Sequence, residues 1–352
     1  MPPDFERLKK AMRHEEPDRV PLVEGTIAYE IQSQFLGRKI KGDDLGGQVE
    51  FWSKAGYDHF PLTVGMMNPG EITRESSIVG LVENVLKKEE KGEKPWAIEE
   101  KGVITNHEDF ERFPWEEAAR VDLSKFQKVQ PFLPEGARIL AFSGKVFTLP
   151  WMLMGFQNFC MSLYLQEDLV ARVIKKVGEI QVGAVKQILG IPKLGGIWAI
   201  DDLSYGSGPM VDPKIFRKYV FPWYEEMASL CKKNDLLFFF HSDGNIWPVI
   251  EDLIALGIDA LHPIDPTCMD IREVKKKVGQ KVGILGNIDT DLLARGTPEE
   301  VREVTMKTIQ DIAPGGGFAL GSGNSVPSWA KFENYQAMRE TTLKFGAYPI
   351  KI

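Results

Sequence analysis

The chain has 352 residues, with 43 Lys and Arg against 50 Asp and Glu, so its formal net charge is −7. Hydrophobic residues make up 43% and charged residues 26%, which is globular composition and excludes disordered, collagen-like and low-complexity classes. A mildly acidic chain lacks the basic footprint of a nucleic-acid binder, and no stretch approaches the roughly 20 apolar residues of a membrane helix. The N-terminus has no apolar signal region, and three widely spaced cysteines fit a reducing compartment, so we expect a cytoplasmic protein that does not bind membranes.

Short apolar runs bounded by turn residues predict eight β-strands. They cover residues 20–24, 59–63, 137–142, 196–200, 236–240, 258–262, 281–285 and 318–322. Most of these runs are continuous rather than alternating, as in parallel strands that are covered on both faces.

Amphipathic segments between these runs predict helices. The clearest span residues 166–188, 213–233, 246–256, 297–312 and 329–345. Asp212 and Thr297 each precede a proline of the first helical turn, which is a typical helix start.

Eightfold alternation of strand and helix predicts an α/β fold, a single (β/α)8 TIM barrel, with one domain over residues 1–352. A doubly wound open sheet is the alternative, but residues 23–30 do not form the glycine-rich phosphate turn that it would need. Residues from about 64 to 136 interrupt the alternation. We expect an inserted hairpin region there, between strands 2 and 3, with a solvated charged turn at residues 87–94.

In such a barrel the loops that carry chemistry converge at the carboxyl ends of the strands. The side chains that follow the predicted strands there are Glu24, Met66, Met67, Ser143, Asp201, Asp202, Tyr205, His241, Asp243, His262, Asp265, Asn287, Asp289, Ser322 and Asn324. This concentration of histidines and carboxylates at one end predicts a functional site.

His241 and Asp243 share one loop and could reach the same cation or proton. Glu24 ends an apolar strand, where a buried carboxylate needs a partner or a metal, so we expect it as a further ligand. Asp202 is expected to point into the barrel mouth and Asp201 to point outward as a cap or salt-bridge partner. We expect Asp289 to cap a helix and His262 to have a structural role.

Several motifs, in this order along the chain, resemble the uroporphyrinogen decarboxylase superfamily. They lie at residues 16–21 (EPDRVP), 201–224, 238–245 (FFFHSDGN), 257–265, 285–301 and 319–327 (ALGSGNSVP). The resemblance covers nearly the whole chain, and it too implies a single eightfold β/α barrel.

The true decarboxylases of this superfamily carry an arginine-rich segment after the first strand, an aspartate after the second and a histidine near the last. Here residues 23–30 (VEGTIAYE) lack arginine, residues 60–67 (FPLTVGMM) lack aspartate, and Ser322 replaces the histidine. Because carboxylates in the mouth would repel a substrate with many carboxylates, porphyrinogen decarboxylation is not expected.

The resemblance therefore implies the other branch, the corrinoid-dependent methyltransferases. Its thiol-methylating members bind zinc through a His-x-Cys pair and a distant cysteine, positions held here by Asp243 and by Ser322 or a neighbour. A divalent metal, with zinc as first choice, held by His241, Asp243 and Glu24 would be more electrophilic than a thiolate-bound ion and would suit an ether oxygen.

We expect transfer of a methyl group from a small methylated substrate, such as a methoxylated aromatic in an O-demethylation, to the cob(I)alamin of a partner corrinoid protein. The catalytic residues would be His241, Asp202 and Glu24, and a homodimer would fit the superfamily. The predicted substrate-binding residues are Trp198, Tyr205, Met66, Phe147, Asn287, Ser322 and Asn324.

Three alternatives remain open at this stage. Without a metal, His241 would act as a general acid. A lyase that decarboxylates a smaller carboxylic acid would need a cationic anchor, for which Lys145 is the candidate. A non-catalytic barrel binding protein would have no need of charged residues at three separate strand ends.

Overall fold

The computed structural model describes residues 2–65 and 102–351, and a parallel β-sheet organises this part of the chain. The strands, in chain order, are β1 (His59–Thr63), β2 (Arg138–Gly144), β3 (Leu194–Ile200), β4 (Ser204–Tyr205), β5 (Gly208–Pro209), β6 (Leu237–His241), β7 (Ala260–His262), β8 (Gly283–Leu285) and β9 (Phe318–Ala319). Seven of them form one sheet in the order β1-β2-β3-β6-β7-β8-β9, and every neighbouring pair is parallel. The remaining two, β4 and β5, form a short antiparallel pair in the loop after β3.

Helices follow or connect these strands and make the fold an α/β barrel type, as predicted. The α-helices are α1 (Phe5–Met12), α2 (Tyr29–Leu36), α3 (Leu45–Ala55), α4 (His107–Arg112), α5 (Trp115–Ala118), α6 (Ser124–Val129), α7 (Thr148–Met154), α8 (Phe156–Leu165), α9 (Glu167–Ile188), α10 (Pro213–Ile215), α11 (Phe221–Lys233), α12 (Ile250–Ala255), α13 (Ile271–Val278), α14 (Thr290–Arg295), α15 (Pro298–Ile312) and α16 (Phe332–Phe345). None of the helices in the described ranges is both long and apolar enough to cross a membrane.

The predicted strand at residues 20–24 is the exception among the eight. It forms a single parallel bridge, between Leu22 and Leu320, rather than a strand. The N–H of Val23 donates to the Leu320 carbonyl at 2.9 Å, and the Leu320 N–H donates to the Pro21 carbonyl at 2.9 Å. Pro21 has no N–H to extend this ladder. On the other side, Nε2 of His59 donates to the Glu24 carbonyl at 2.9 Å, so the segment lies between β9 and β1.

Two predicted helices are interrupted at a proline. The segment predicted as 213–233 comprises α10, a π turn (Phe216–Val220) and α11, and Pro222 lies in the first turn of α11. The segment predicted as 246–256 begins with a 3₁₀ turn (Trp247–Val249) and becomes α-helical at Ile250. Proline lacks the N–H that an uninterrupted helix would require at these positions.

The predicted helix starts are confirmed. Thr297 caps α15 in a capping box with Glu300, and Asp212 accepts a hydrogen bond from the N–H of Lys214. Asp289 caps α14 in the same way, as expected. The excursion predicted between strands 2 and 3 lies between β1 and β2 and includes α4, α5 and α6, whereas its charged turn at residues 87–94 lies outside the described residues.

Helix α1 packs across the amino-terminal ends of the strands. Its apolar face (Phe5, Leu8, Ala11 and Met12) is buried in one cluster with side chains from inside the barrel. Gly195 and Gly283, near the starts of β3 and β8, leave room for it, because a Cβ at either position would lie 2.6 Å from Phe5 or from Met12. Burial of Phe5, Leu8 and Met12 contributes roughly 1.5–3 kcal/mol each, so these contacts hold α1 stably against this end of the barrel.

Candidate functional site

The candidate site forms at the carboxyl ends of β3, β6 and β7. Ile200 at the end of β3 pairs with His241 at the end of β6, and His241 pairs with His262 at the end of β7. Because this register aligns the three strand ends, the residues that follow them also meet. Asp202 follows β3, and Asp243 lies two residues after the end of β6.

Asp202, His241 and Asp243 offer ligand atoms that all lie within 4.8 Å of one another. Nε2 of His241 is 3.5 Å from Oδ1 of Asp202 and 3.7 Å from Oδ1 of Asp243. The two carboxylates are held in place, since the Asp243 N–H donates to Asp202 at 3.1 Å and the Asn324 amide donates to Oδ2 of Asp243 at 2.6 Å. Oδ1 of Asp243 is buried and has no hydrogen-bond partner.

The two carboxylates differ electrostatically. Burial raises the pKa of Asp243 to about 6, and the negative charges of Asp202 and Asp265 act in the same direction. Burial also acts to raise the pKa of Asp202, but the hydrogen bond and charge of His241 and the N–H of Asp243 outweigh it, so this pKa lies below its ordinary value. For His241, burial acts to lower the pKa, but Asp202 and Asp243 outweigh it and the pKa is raised.

His262, expected to be structural, lies directly behind His241. The Nδ1 atoms of the two rings are 2.8 Å apart. Burial and the nearby charge of His241 lower the pKa of His262 well below its ordinary value, so His262 is the neutral partner in the hydrogen bond between the two Nδ1 atoms. This bond leaves Nε2 of His241 facing the two carboxylates. The available signal for this contact was the parallel alignment of two predicted strands, because His241 follows the strand predicted at 236–240 and His262 ends the strand predicted at 258–262.

Glu24 does not join the cluster, which revises its prediction as a ligand alongside His241 and Asp243. It is fully buried, and its two oxygens accept from the N–H of Ser322 at 2.6 Å and from the Ser322 hydroxyl at 2.7 Å. Burial raises the pKa of Glu24 to about 8, although both hydrogen bonds from Ser322 oppose the shift. Glu24 and Ser322 therefore form a pair that joins the segment before α2 to the loop after β9.

Asp201 is buried rather than pointing outward, but it does cap a helix. Its carboxylate accepts from the N–H groups of Phe147 and Thr148 at 2.6 and 2.7 Å, at the start of α7, and from the Tyr224 hydroxyl. This contact holds the loop after β2 against β3 and leaves the next residue, Asp202, to face His241.

Among the predicted substrate-binding residues, the aromatic ones occupy different environments. Trp198 is almost fully buried inside the barrel, with its ring centroid 4.7 Å from that of His262. Phe147 is fully buried against Phe159 and Phe216, away from the mouth, because its side chain turns into the helical layer. Tyr205 is half exposed at the rim.

The remaining residues of that set are polar, apart from Met66. Asn287 is buried and donates to the Ile264 carbonyl at 3.1 Å. Ser322 binds Glu24, and Asn324 is the one that contacts the cluster, through Asp243. Met66 and its neighbour Met67 lie outside the described residues.

Asp265 is among the acidic residues predicted at the strand ends, although no role is predicted for it. One of its oxygens accepts from the Gly244 N–H at 3.3 Å, and the other accepts from the N–H and hydroxyl of Thr267. It therefore joins the loop after β7 to the loop that carries Asp243.

The chain matches a family of known proteins. Residues 103–345 match the family model described as uroporphyrinogen decarboxylase (URO-D). Uroporphyrinogen decarboxylases of Neisseria meningitidis serogroup C and Coxiella burnetii are 25% identical over 214 residues and 23% identical over 223 residues. These matches cover 58% and 59% of this chain and 58% of each relative, so the chain spans little more than half the length of the curated relatives it matches.

A solved structure of a methyltransferase from Methanosarcina mazei resembles this protein over almost its full length. The TM-score is 0.64 at 16% identity, and the superposition covers 97% of this chain and 98% of the other. This likeness supports the barrel fold. Because the family model matches more than two thirds of the chain, and the motifs along it agree with that match, the protein belongs to the uroporphyrinogen decarboxylase family.

Proposed function

We propose that this protein is a corrinoid-dependent methyltransferase. It would move a methyl group from a small methylated substrate, such as a methoxylated aromatic, to the cob(I)alamin of a partner corrinoid protein. The observation that carries the proposal is the convergence of Nε2 of His241 with the carboxylates of Asp202 and Asp243. The likeness to a methyltransferase from Methanosarcina mazei is consistent with this chemistry.

The three side chains fit a divalent metal, with zinc as the first choice. Ligand atoms around tetrahedral zinc lie about 3.4 Å apart, given bonds of about 2.0–2.1 Å. Nε2 of His241 is 3.5 and 3.7 Å from the nearest oxygens of Asp202 and Asp243, and the unpartnered Oδ1 of Asp243 is available. In this proposal Asp202 takes the place that the sequence analysis gave to Glu24.

When bound, such an ion polarises the heteroatom that carries the methyl group and stabilises the negative charge that this atom acquires. One imidazole and two carboxylates donate less electron density to the ion than thiolates would, so the ion remains a stronger Lewis acid. The described residues supply the positioning: His262 orients His241, Asn324 holds Asp243, and the Asp243 N–H holds Asp202. The mouth thus presents a fixed, oxygen-rich ligand set to the substrate.

A lyase that decarboxylates a small carboxylic acid is the second candidate. The observation that favours it is Lys145, which follows β2 and whose positive charge acts on both Asp202 and His241. A cation in this position could anchor a substrate carboxylate. The curated relatives, which are uroporphyrinogen decarboxylases, support this candidate as well.

The first test is metal content, measured by mass spectrometry on protein purified without added metal or nickel affinity. We expect about one zinc per chain, lost in His241→Ala, because structural and catalytic zinc sites are occupied in stoichiometric amounts. The matched control is His107→Ala, since His107 lies on α4 and is not in the cluster. Wild-type protein that takes up no zinc at micromolar concentration would contradict the ligand assignment.

The second test is chemistry, with free cob(I)alamin under reducing, anaerobic conditions as acceptor and guaiacol as donor. Appearance of the methylcobalamin spectrum in wild type but not in His241→Ala would support the methyltransferase. Release of CO2 from a small acid, lost in Lys145→Ala, would instead support the lyase. Zinc binding without either reaction would favour a binding protein.

A further inference from the structure

A cavity of about 420 Å³ lies at the carboxyl ends of β1 and β2, beside the loop that follows β9. Its size falls within the range of roughly 300–1,000 Å³ that is usual for small-molecule sites. None of the described residues predicted to bind substrate lines this cavity. Its walls come instead from α2, α3, the segment before α2 and the strand ends.

The described residues that line the interior of the cavity are uncharged. Among the described lining residues there is no carboxylate, and the single cation is Lys125, an exposed residue at the rim. Two buried aromatic side chains, Trp52 and Phe142, form part of the wall. A flat, uncharged molecule therefore matches the cavity better than an anion with several carboxylates, which would lack partners inside.

Two glutamines give the cavity a hydrogen-bonding preference. Nε2 of Gln32 donates to the Ile27 carbonyl at 2.7 Å, and its buried Oε1 has no partner. Nε2 of Gln48 donates to the carbonyls of Lys41 and Gly42 at 2.9 and 3.2 Å. Because these bonds fix the orientation of both amides, their oxygens are left as acceptors. The complementary ligand group is a donor, a hydroxyl or an N–H.

The cavity and the cluster of Asp202, His241 and Asp243 share supporting structure, although none of these three residues lines the cavity. Ser325 lines the cavity, and the preceding residue, Asn324, donates to Asp243. From Phe142 a row of aromatic contacts leads through Trp198, at 5.4 Å between ring centroids, to His262 at 4.7 Å. A molecule in the cavity therefore borders the same loop and the same aromatic wall that support the cluster.

We infer that this cavity binds a flat, uncharged molecule with a hydroxyl or amino group directed at the unpartnered amide oxygen of Gln32. Resting on the proposed function, this molecule is the methyl donor, bound beside the loop that carries Asn324. The specificity of the enzyme would then come from an amide oxygen rather than from a charged anchor.

The test measures, by calorimetry, how two probes bind to the full chain. A chelator is present to remove metal, and no corrinoid is added. Guaiacol has a free hydroxyl, whereas veratrole is the same ring with that hydroxyl methylated. We expect guaiacol to bind about tenfold more tightly, which is the effect of one hydrogen bond. Equal affinities of the two probes would overturn the inference.

The variant Gln32→Met tests whether the preference for guaiacol over veratrole depends on Gln32. This variant should bind guaiacol and veratrole equally, and its retained veratrole binding shows that the cavity is still formed. The matched control is Gln130→Met, because Gln130 also donates to backbone carbonyls but does not line the cavity. Discrimination that survives in Gln32→Met would contradict the assignment.

A third probe, 2-methoxybenzoate, tests the charge preference. The inference that the ligand is uncharged would be overturned if this anion bound more tightly than guaiacol and if Lys125→Ala removed that advantage. Because these measurements need neither metal nor corrinoid, a failure of methyl transfer leaves the cavity assignment standing. Conversely, methyl transfer from guaiacol by Gln32→Met with unchanged KM would contradict the cavity assignment and leave the proposed function intact.

Discussion

The two ends of the barrel bury charged side chains in different ways. At the amino-terminal end, Arg7 and Arg19 meet Asp18 and Asp58, with Nε of Arg7 2.6 Å from Asp18 and Nη1 2.5 Å from Asp58. Two buried arginines thus face the buried Asp58 and the half-exposed Asp18. At the carboxyl end, two carboxylates surround one imidazole, and Glu24 has a serine as its partner. The first end balances its charges within the chain, whereas the second leaves an excess of acceptors that a ligand can use.

The largest effect expected from this comparison is at Asp58. Asp58→Asn removes a charge from between two buried arginines, which should lower the free energy of unfolding by about 3–5 kcal/mol. Urea unfolding at neutral pH measures this. The control is Asp235→Asn, since Asp235 is an exposed partner of Lys9 and Arg13, and its loss should cost at most about 1 kcal/mol. Equal effects of the two variants would contradict the distinction between buried and exposed pairs.

Glu24, at the carboxyl end of the barrel, should make the stability of the protein depend on pH. Its ordinary pKa is 4.5 and burial raises the pKa to about 8. Between these values the folded protein keeps a proton that the unfolded chain releases, so the free energy of unfolding falls as pH rises through this range. Glu24→Gln cannot ionise and should lose this dependence, a difference on the order of a few kcal/mol between pH 4.5 and 8.

Urea unfolding of both proteins across this range measures the difference. Glu135→Gln, at an exposed position, serves as the control and should follow the wild type. Parallel pH profiles for wild type and Glu24→Gln would show that Glu24 ionises in the folded protein much as it does in the unfolded chain.

A smaller effect, on metal affinity, is expected at His262, at the carboxyl end of the barrel. His262→Phe keeps a ring against Trp198 but removes the hydrogen-bond partner that orients His241. If the proposed metal binds, zinc affinity measured by chelator competition should fall about 10–100-fold. The matched control is His59→Phe, a buried histidine that bonds to the Glu24 carbonyl instead. Loss of affinity in both variants alike would point to a general structural effect.

Much of the fold could be predicted because apolar runs mark strands directly. Seven predicted strands coincide with observed ones. The remaining prediction, at residues 20–24, fails at Pro21, where the hydrogen-bond ladder lacks a donor. The helix predicted over residues 213–233 fails in the same way near Pro222, and the one over 246–256 near Pro248. Amphipathic spacing predicts where a helix can lie, but a missing N–H decides where it breaks.

The site was predictable only as far as strand ends determine it. The cluster residues end or follow β3 and β6, so the barrel topology alone brings them close. Side-chain direction was not predictable: Phe147 follows a strand end yet turns into the helical layer, and Glu24 finds Ser322 across the chain. The cavity escaped prediction because it depends on α2 and α3, whose packing no single motif reveals.

Helix α1 has a kinetic consequence for the proposed reaction. Because it covers the amino-terminal ends of the strands, a small substrate and a partner domain would, in the proposed reaction, approach the site from the same side. In that reaction the substrate would enter before the corrinoid domain docks, and the demethylated product would leave after that domain has separated. Each turnover would require one cycle of docking and release, so an overly tight partner complex would slow the enzyme rather than help it.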